Sequence, residues 1–479
     1  MSVNAANIMG IYTHDIKSHY LIAQNLLKEL ANSGHNNMAK DGSILNLFKN
    51  SFSVLEILKQ IPRSVILSDE MQTLINTKQE FDAIISGFSE SWVFFGLSQT
   101  LNAPIILIAP QKLSIMVESF IGVYAHDSFV ANPFLRLNDK MNFIERCINT
   151  LVNILMRLLI QFAIWNQEDL FAEFFPNSKS NLRQTVRTSV QLVLMNSHFT
   201  VNKPLPYMTN MIEVGGLHIP DTLNRLPDPL KRFMDEAATG VIYFCMGSTL
   251  KLNDLDLDKK LLIINALKKS SMRIVIKWDD EATLNELTPN SKFYVSNWLP
   301  QNEILAHPNV RAYVTHGGIL STTEAIFYGI PIVGMPIFTD QRNNIKTFED
   351  LGIAVQVDYD KLSVESLSDA INRVTGDKKF NETVKELSKR YRDRPMTPVK
   401  TAQYWVEYVM RYKKQDFMIS PATSLNMVEY FNWDVHLTFL VLFLLGAYFN
   451  WKIFKWSVKK MCGCFRKKEK LQTEKIKKT

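Results

Sequence analysis

Cysteine is scarce, with four in 479 residues, which excludes a disulfide-stapled scaffold. Cys147 and Cys245 stand alone and Cys462 and Cys464 sit in a basic tail, so no zinc-ligand spacing exists and no metal is expected. An excess of one charge is also missing outside that tail. The net charge is +7, but Lys452 to the end holds eleven Lys/Arg and two Asp/Glu, which leaves 43 basic and 45 acidic side chains before it. The charge therefore gives no reason to expect a nucleic-acid partner. No repeat of fixed period is visible. Residues 1–11 (MSVNAANIMGI) lack the basic start, long apolar core and cleavage site of a secretory leader. What is present, 46% apolar and 21% charged residues, is the composition of a globular chain of two or three domains.

The stretch Val435–Trp451 holds no charged residue and continues past Lys452 and Lys455 to Trp456. Residues 435–456 span about 33 Å as a helix, enough to cross a bilayer core of about 30 Å. Trp433, Trp451 and Trp456 fall where an aromatic belt lies, and lysines can snorkel. By the positive-inside rule the basic tail, 457–479, is expected in the cytoplasm and the body on the lumenal side. The ending Lys475-Ile476-Lys477-Lys478-Thr479 resembles a dilysine retrieval signal, which implies the endoplasmic reticulum membrane. A second apolar stretch, Leu151–Trp165, carries Arg157 and Gln161 and reads as a buried or membrane-surface helix.

Short apolar runs at 8–13, 81–86, 104–109 and 191–196 alternate with helical patterns. They recur at 240–245, 273–277, 312–315, 331–335 and 354–357. This alternation predicts an α/β fold of two doubly wound, Rossmann-like domains facing a cleft. The proline-rich break at 220–229 puts the first at 1–225 and the second at 226–420. Between Gly34 and Val54 no strand is evident, so the first domain is expected to be shortened and unstable.

In the second half, the predicted strand Ala312–Thr315 runs into His316-Gly317-Gly318, and a helix is expected near Ser321. Two glycines between a strand and a helix allow close backbone approach, and the helix start offers free N–H groups and positive potential. This is the chemistry of a phosphate site, without the lysine of a P-loop. Ser321 and Glu324 also fit a capping box, which needs no ligand.

The 44 residues from Trp298 to Gln341 (WLPQNEILAHPNVRAYVTHGGILSTTEAIFYGIPIVGMPIFTDQ) resemble the signature of the UDP-glycosyltransferases, most of all their arthropod branch. Further resemblance lies in Tyr243–Ser248, Lys277-Trp278 and Met195–Gly215. It implies two facing domains of the GT-B type plus one C-terminal transmembrane helix. It also implies a UDP-sugar donor, a role in detoxification, and inverting transfer of a hexose, usually glucose, to a hydroxyl of a small lipophilic acceptor. Trp298 would stack on uracil, Gln301 would bond the nucleoside, and Glu324 would accept the ribose hydroxyls. Ser248, His316, Gly318 and Ser321 would hold the phosphates, and Asp340 and Gln341 the sugar. No metal or other cofactor is implied, because N–H groups and a helix dipole stabilise the leaving UDP.

A hydroxyl nucleophile needs a base. The resemblance puts it at His19 in Ser18-His19, with His14 as the rival. The family's supporting carboxylate falls at Gly87, and Glu90 is the nearest later acid. The second reading is therefore a non-catalytic, UDP-sugar-binding subunit forming homo- or hetero-oligomers with full-length relatives.

Overall fold

The computed structural model describes the chain except residues 1–5, 13–16, 42–53, 78, 89–90, 136, 138–139, 248–254, 288–290, 338–339, 413–417 and 477–479. It forms two compact units, Met1–Ser420 and Pro421–Thr479.

The body holds two parallel six-stranded sheets. The first is built from β1 (Asn7–Tyr12), β2 (Asn36–Asp41), β3 (Ala83–Gly87), β4 (Ile105–Ala109), β5 (Val190–Met195) and β6 (Met211–Glu213), in the order β2-β1-β3-β4-β5-β6. The second comprises β7 (Val241–Cys245), β8 (Arg273–Lys277), β9 (Phe293–Ser296), β10 (Val310–Thr315), β11 (Ile332–Gly334) and β12 (Ala354–Gln356), in the order β12-β11-β10-β7-β8-β9. Both doubly wound domains expected from the sequence are there.

One expectation is overturned. Asn36–Asp41 (NNMAKD) is a strand, paired parallel to β1 from Asn7↔Asn36 to Tyr12↔Asp41. Its polar sequence carries no β-branched signal. Pairing with β1 makes it a strand, and its place at the sheet edge tolerates polar side chains.

Strand alternation divides the second sheet into two cores. Ile242, Phe244, Ile274, Ile276, Ala312 and Val314 face one side, while Val241, Tyr243, Cys245, Val275 and Tyr313 face the other. In the first sheet, Ile8, Ile85, Ile106 and Leu194 pack on the Lys17–Asn32 helix through Ile22, Leu26 and Leu30. The Pro398–Arg411 helix returns to that same cluster with Val399, Ala402 and Val406, although it follows the second sheet in the chain. Leu320, from the helix after β10, is part of the cluster too. The two domains thus share apolar contacts at the edge of the cleft.

The second unit is dominated by a helix at Trp433–Ile476, of which Trp433–Met461 is long and apolar enough to cross a membrane and has no part of its most apolar window buried. The helix runs on into the basic tail.

Candidate functional site

In the second sheet, strand order reverses between β7 and β10, the place where parallel α/β sheets open a crevice at their carboxyl ends. The loops leaving those strands carry Gly247 and His316. A Cβ on Gly247 would lie 2.5 Å from His316 Cε1, and one on Gly318 would lie 2.6 Å from His316 Nε2. The imidazole is therefore held between two glycines. Burial pushes its pKa down to about 4, so the ring is neutral at physiological pH. Thr315 Oγ1 lies 3.3 Å from its Nδ1. Lys277 donates to the Gly247 carbonyl at 2.7 Å, bringing a cation to the same loop.

The helix after β10 begins at Ile319, earlier than expected, with Gly318 as its extended cap residue. No side chain caps it. Ser321 Oγ donates to Gly318 O at 3.0 Å, and Glu324 points elsewhere, so the capping box does not form. Glu324 instead accepts hydrogen bonds from Gln301 Nε2 and, at 3.5 Å, from Asn302 Nδ2. Gln301 is fixed in turn by two tyrosines. Tyr243 and Tyr313 are in register on adjacent strands, stacked with centroids 5.0 Å apart, and each hydroxyl donates to Gln301 Oε1 at 3.1 Å. Burial pushes the Glu324 pKa up to about 7. His218, buried with its own pKa lowered by desolvation to about 4, donates to Leu320 O at 3.1 Å and lies 3.6 Å from Glu324.

Trp298 is 57% exposed, unusual for a tryptophan flanked by a packed strand and helix, with Lys277 Nζ 6.0 Å from its ring centroid. At the cleft's other rim the Gln341–Asp350 helix starts. Asp340 Oδ2 accepts from Asn344 Nδ2 at 2.8 Å, and Asn344 also donates to Gly317 O at 3.0 Å. Gln341 is buried and accepts from Ile337 N at 2.9 Å. The structure thus gathers Gln301 with Glu324, and His316 with Gly318. Asp340 joins the glycine loop through Asn344. Ser248 lies outside the described residues.

Sequence reasoning gave no role to Tyr243, Tyr313, Lys277, Asn344 or His218. Tyr243 and Lys277 stood inside the stretches that carried the resemblance. No local pattern signals the tyrosine pair, since two tyrosines on neighbouring strands meet only once the register is known.

On the first domain, His19 is the third residue of the Lys17–Asn32 helix that follows β1, and its side chain lies outside the described residues, as do His14 and Glu90. Gly87 ends β3, which pairs with β1 through Ile11↔Ser86.

The family model for UDP-glucoronosyl and UDP-glucosyl transferases matches residues 6–470. The chain belongs to the UDP-glycosyltransferase family. Its relatives include UDP-glycosyltransferase UGT5 of Dactylopius coccus, 31% identical over 95% of this chain and 93% of that protein. UDP-glucuronosyltransferase 2B1 of Rattus norvegicus is 31% identical over 74% of this chain and 66% of its own length. Among solved structures, a UDP-glucosyltransferase from Polygonum tinctorium superposes with a TM-score of 0.60 at 14% identity, over 86% of this chain and all of that one. A UDP-glucose:anthocyanidin 3-O-glucosyltransferase in complex with UDP gives 0.59 at 15% identity, over 86% and 100%. These likenesses establish the GT-B fold, and family membership makes the chain a UDP-sugar-dependent transferase.

Proposed function

We propose that this UDP-glycosyltransferase is anchored by its C-terminal helix and moves a hexose, glucose by branch resemblance, from a UDP-sugar to a hydroxyl of a small lipophilic acceptor. The observation that carries this is the prepared contact between Gln301 and Glu324, in a segment that also presents an exposed Trp298. An exposed indole, a carboxylate for two ribose hydroxyls and a helix start beyond paired glycines match the parts of UDP in order. In this reading Ser248, His316, Gly318 and Ser321 hold the diphosphate, and Asp340 and Gln341 hold the sugar. A neutral His316 offers a ring N–H to a phosphate oxygen. The loop N–H groups and helix dipole stabilise the departing UDP, so the reaction needs no metal.

His19 takes the proton from the acceptor hydroxyl, whose oxygen attacks the anomeric carbon as the bond to UDP breaks on the opposite face, inverting that centre. The tail charge and the dilysine-like ending support an endoplasmic reticulum location with a lumenal body. The test is UDP release from UDP-glucose with a phenolic acceptor, comparing the intact chain with His19→Ala. Turnover lost with UDP binding retained supports the assignment; unchanged turnover removes His19 as the base.

Gly87 favours a second reading, because a histidine without a carboxylate loses both orientation and stabilisation of its protonated form. That reading is a donor-binding subunit that partners full-length relatives. It predicts UDP binding and no turnover with any acceptor.

A further inference from the structure

His218 belongs to the first domain, in the turn that follows β6, yet its ring reaches the second domain's candidate site. The run Val214-Gly215-Gly216-Leu217-His218-Ile219 closes two successive turns, with Leu217 N–H on Val214 O at 3.0 Å and Ile219 N–H on Gly216 O at 2.9 Å. Gly216 has φ +87°, in the left-handed region that glycine enters freely. These turns seat Leu217 in an apolar cluster with Leu320 and bring His218 against the same helix. The backbone here is also tied to the helix that carries His19, since Asn25 donates to His218 O at 2.8 Å.

The buried imidazole uses its two nitrogens unequally. A carbonyl only accepts, so the 3.1 Å contact with Leu320 O puts the ring hydrogen on Nε2, the nitrogen 3.6 Å from Glu324 Oε1. The other nitrogen, Nδ1, is buried and finds no partner among the described residues. An apolar side chain would fill the same space without stranding a polar atom, so packing alone is a poor reason for a histidine here. What the ring contributes is its Nε2–H edge, and that edge faces a carbonyl and a carboxylate of the helix after β10.

Glu324 has a use for it. To accept both ribose hydroxyls the carboxyl must be ionised, because a protonated one commits an oxygen to its own hydrogen. Burial opposes that charge, and Glu303 adds to the opposition. Gln301 and Asn302 supply neutral amides. Among the described residues, His218 is the one basic side chain in ion-pair range of the carboxylate.

We propose that His218 is a positioning residue for the donor, its Nε2–H steadying the ionised Glu324 carboxylate in the orientation that receives the 2′- and 3′-hydroxyls of the ribose. The inference rests on the ribose role given to Glu324 above and adds the group from the facing domain that supports it. His218 acts through Glu324 and needs no contact with the nucleotide. Because Asn25 holds its backbone, one residue links the ribose carboxylate to the helix of the proposed base, His19.

The test separates the ribose hydroxyls from the rest of the nucleotide. The detergent-solubilised full chain is titrated calorimetrically with UDP and with 2′,3′-dideoxyuridine diphosphate, which lacks both hydroxyls. The intact chain is expected to prefer UDP by about tenfold or more, the worth of a hydrogen bond to a charged group. His218→Phe removes the N–H, and His218→Gln keeps an N–H donor on a side chain of similar reach. The first should cut the preference about fivefold by weakening UDP alone, with affinity for the dideoxynucleotide unchanged. The second should restore most of it. If His218→Phe does not melt cooperatively, the smaller His218→Leu takes its place. Equal losses for both nucleotides, or a preference left at the intact value, overturn the inference and leave the ribose role of Glu324 standing. A His218→Gln chain as indifferent as His218→Phe overturns the role of the N–H. Equal binding of both nucleotides by the intact chain overturns the ribose role itself and this inference with it.

Discussion

Gln301 donates a hydrogen bond to the carboxylate of buried Glu324. The amide is held from behind by Tyr243 and Tyr313, so the carboxylate is oriented before any ligand arrives. Two strands, one short helix and the helix after β10 meet in this contact.

Its first consequence is a dependence on pH. The Glu324 pKa stands at about 7, against a usual 4.5, because burial penalises the charged form. A raised folded-state value means that the neutral carboxyl stabilises the empty protein fully below about pH 4.5. That stability is lost as pH rises through about 7, an effect on the order of 3 kcal/mol at about 1.4 kcal/mol per unit. Thermal melts of the ligand-free protein should fall across this window, and those of Glu324→Gln should lack this component. Parallel curves for the two proteins would contradict it.

The glycines around His316 give a steric prediction. Gly318 has ordinary extended backbone, so Gly318→Ala adds no strain there, but its Cβ would sit 2.6 Å from the imidazole. Displacing the ring should cost about 1–3 kcal/mol of stability and weaken UDP binding. Gly376→Ala, where a Cβ meets nothing within 4 Å, should leave both unchanged. Melting curves and UDP titrations of the two variants make the comparison.

Much of this was legible in the sequence, for different reasons in different places. Val241–Cys245 and Val310–Thr315 announce themselves as buried parallel strands because they are nearly unbroken apolar runs. Asn36–Asp41 does not, because an edge strand can be polar and is made by its neighbour. The candidate residues of the cassette were read by resemblance, while the partnership of Gln301 with two tyrosines depends on strand register, which no local pattern carries. Ser321 and Glu324 fit a capping box by spacing, yet Gly318 caps the helix and Gln301 claims the carboxylate.

The buried Arg157 supports a stability prediction. Burial already raises the pKa of Glu118, and removing the guanidinium leaves that carboxyl and Asp127 uncompensated. Arg157→Met should cost about 3–5 kcal/mol. The loss should deepen as pH rises and Glu118 is forced to ionise, and adding Glu118→Gln should restore part of it. Denaturant titrations at several pH values measure this.

Asn381, in Asn381-Glu382-Thr383, is exposed on the Lys378–Arg392 helix. A lumenal body predicts a glycan there when the chain is made in insect or mammalian cells. The check is a glycosidase-sensitive mass shift that disappears in Asn381→Gln. A shift that persists in Asn381→Gln would contradict the assignment of the glycan to this site.

The central claim is that the segment from Trp298 to Gln341 cradles a uridine diphosphate. The most direct measurement is calorimetric titration of the detergent-solubilised full chain with UDP, beside Trp298→Ala. Trp298 is 57% exposed, so its loss should change stability by no more than about 0.5 kcal/mol. If the indole stacks on the base, the same change should weaken UDP binding by about 1–3 kcal/mol. The account predicts one saturable site in the intact chain and weaker binding in an equally stable variant. No heat from the folded intact chain, or equal affinity in both, would contradict it.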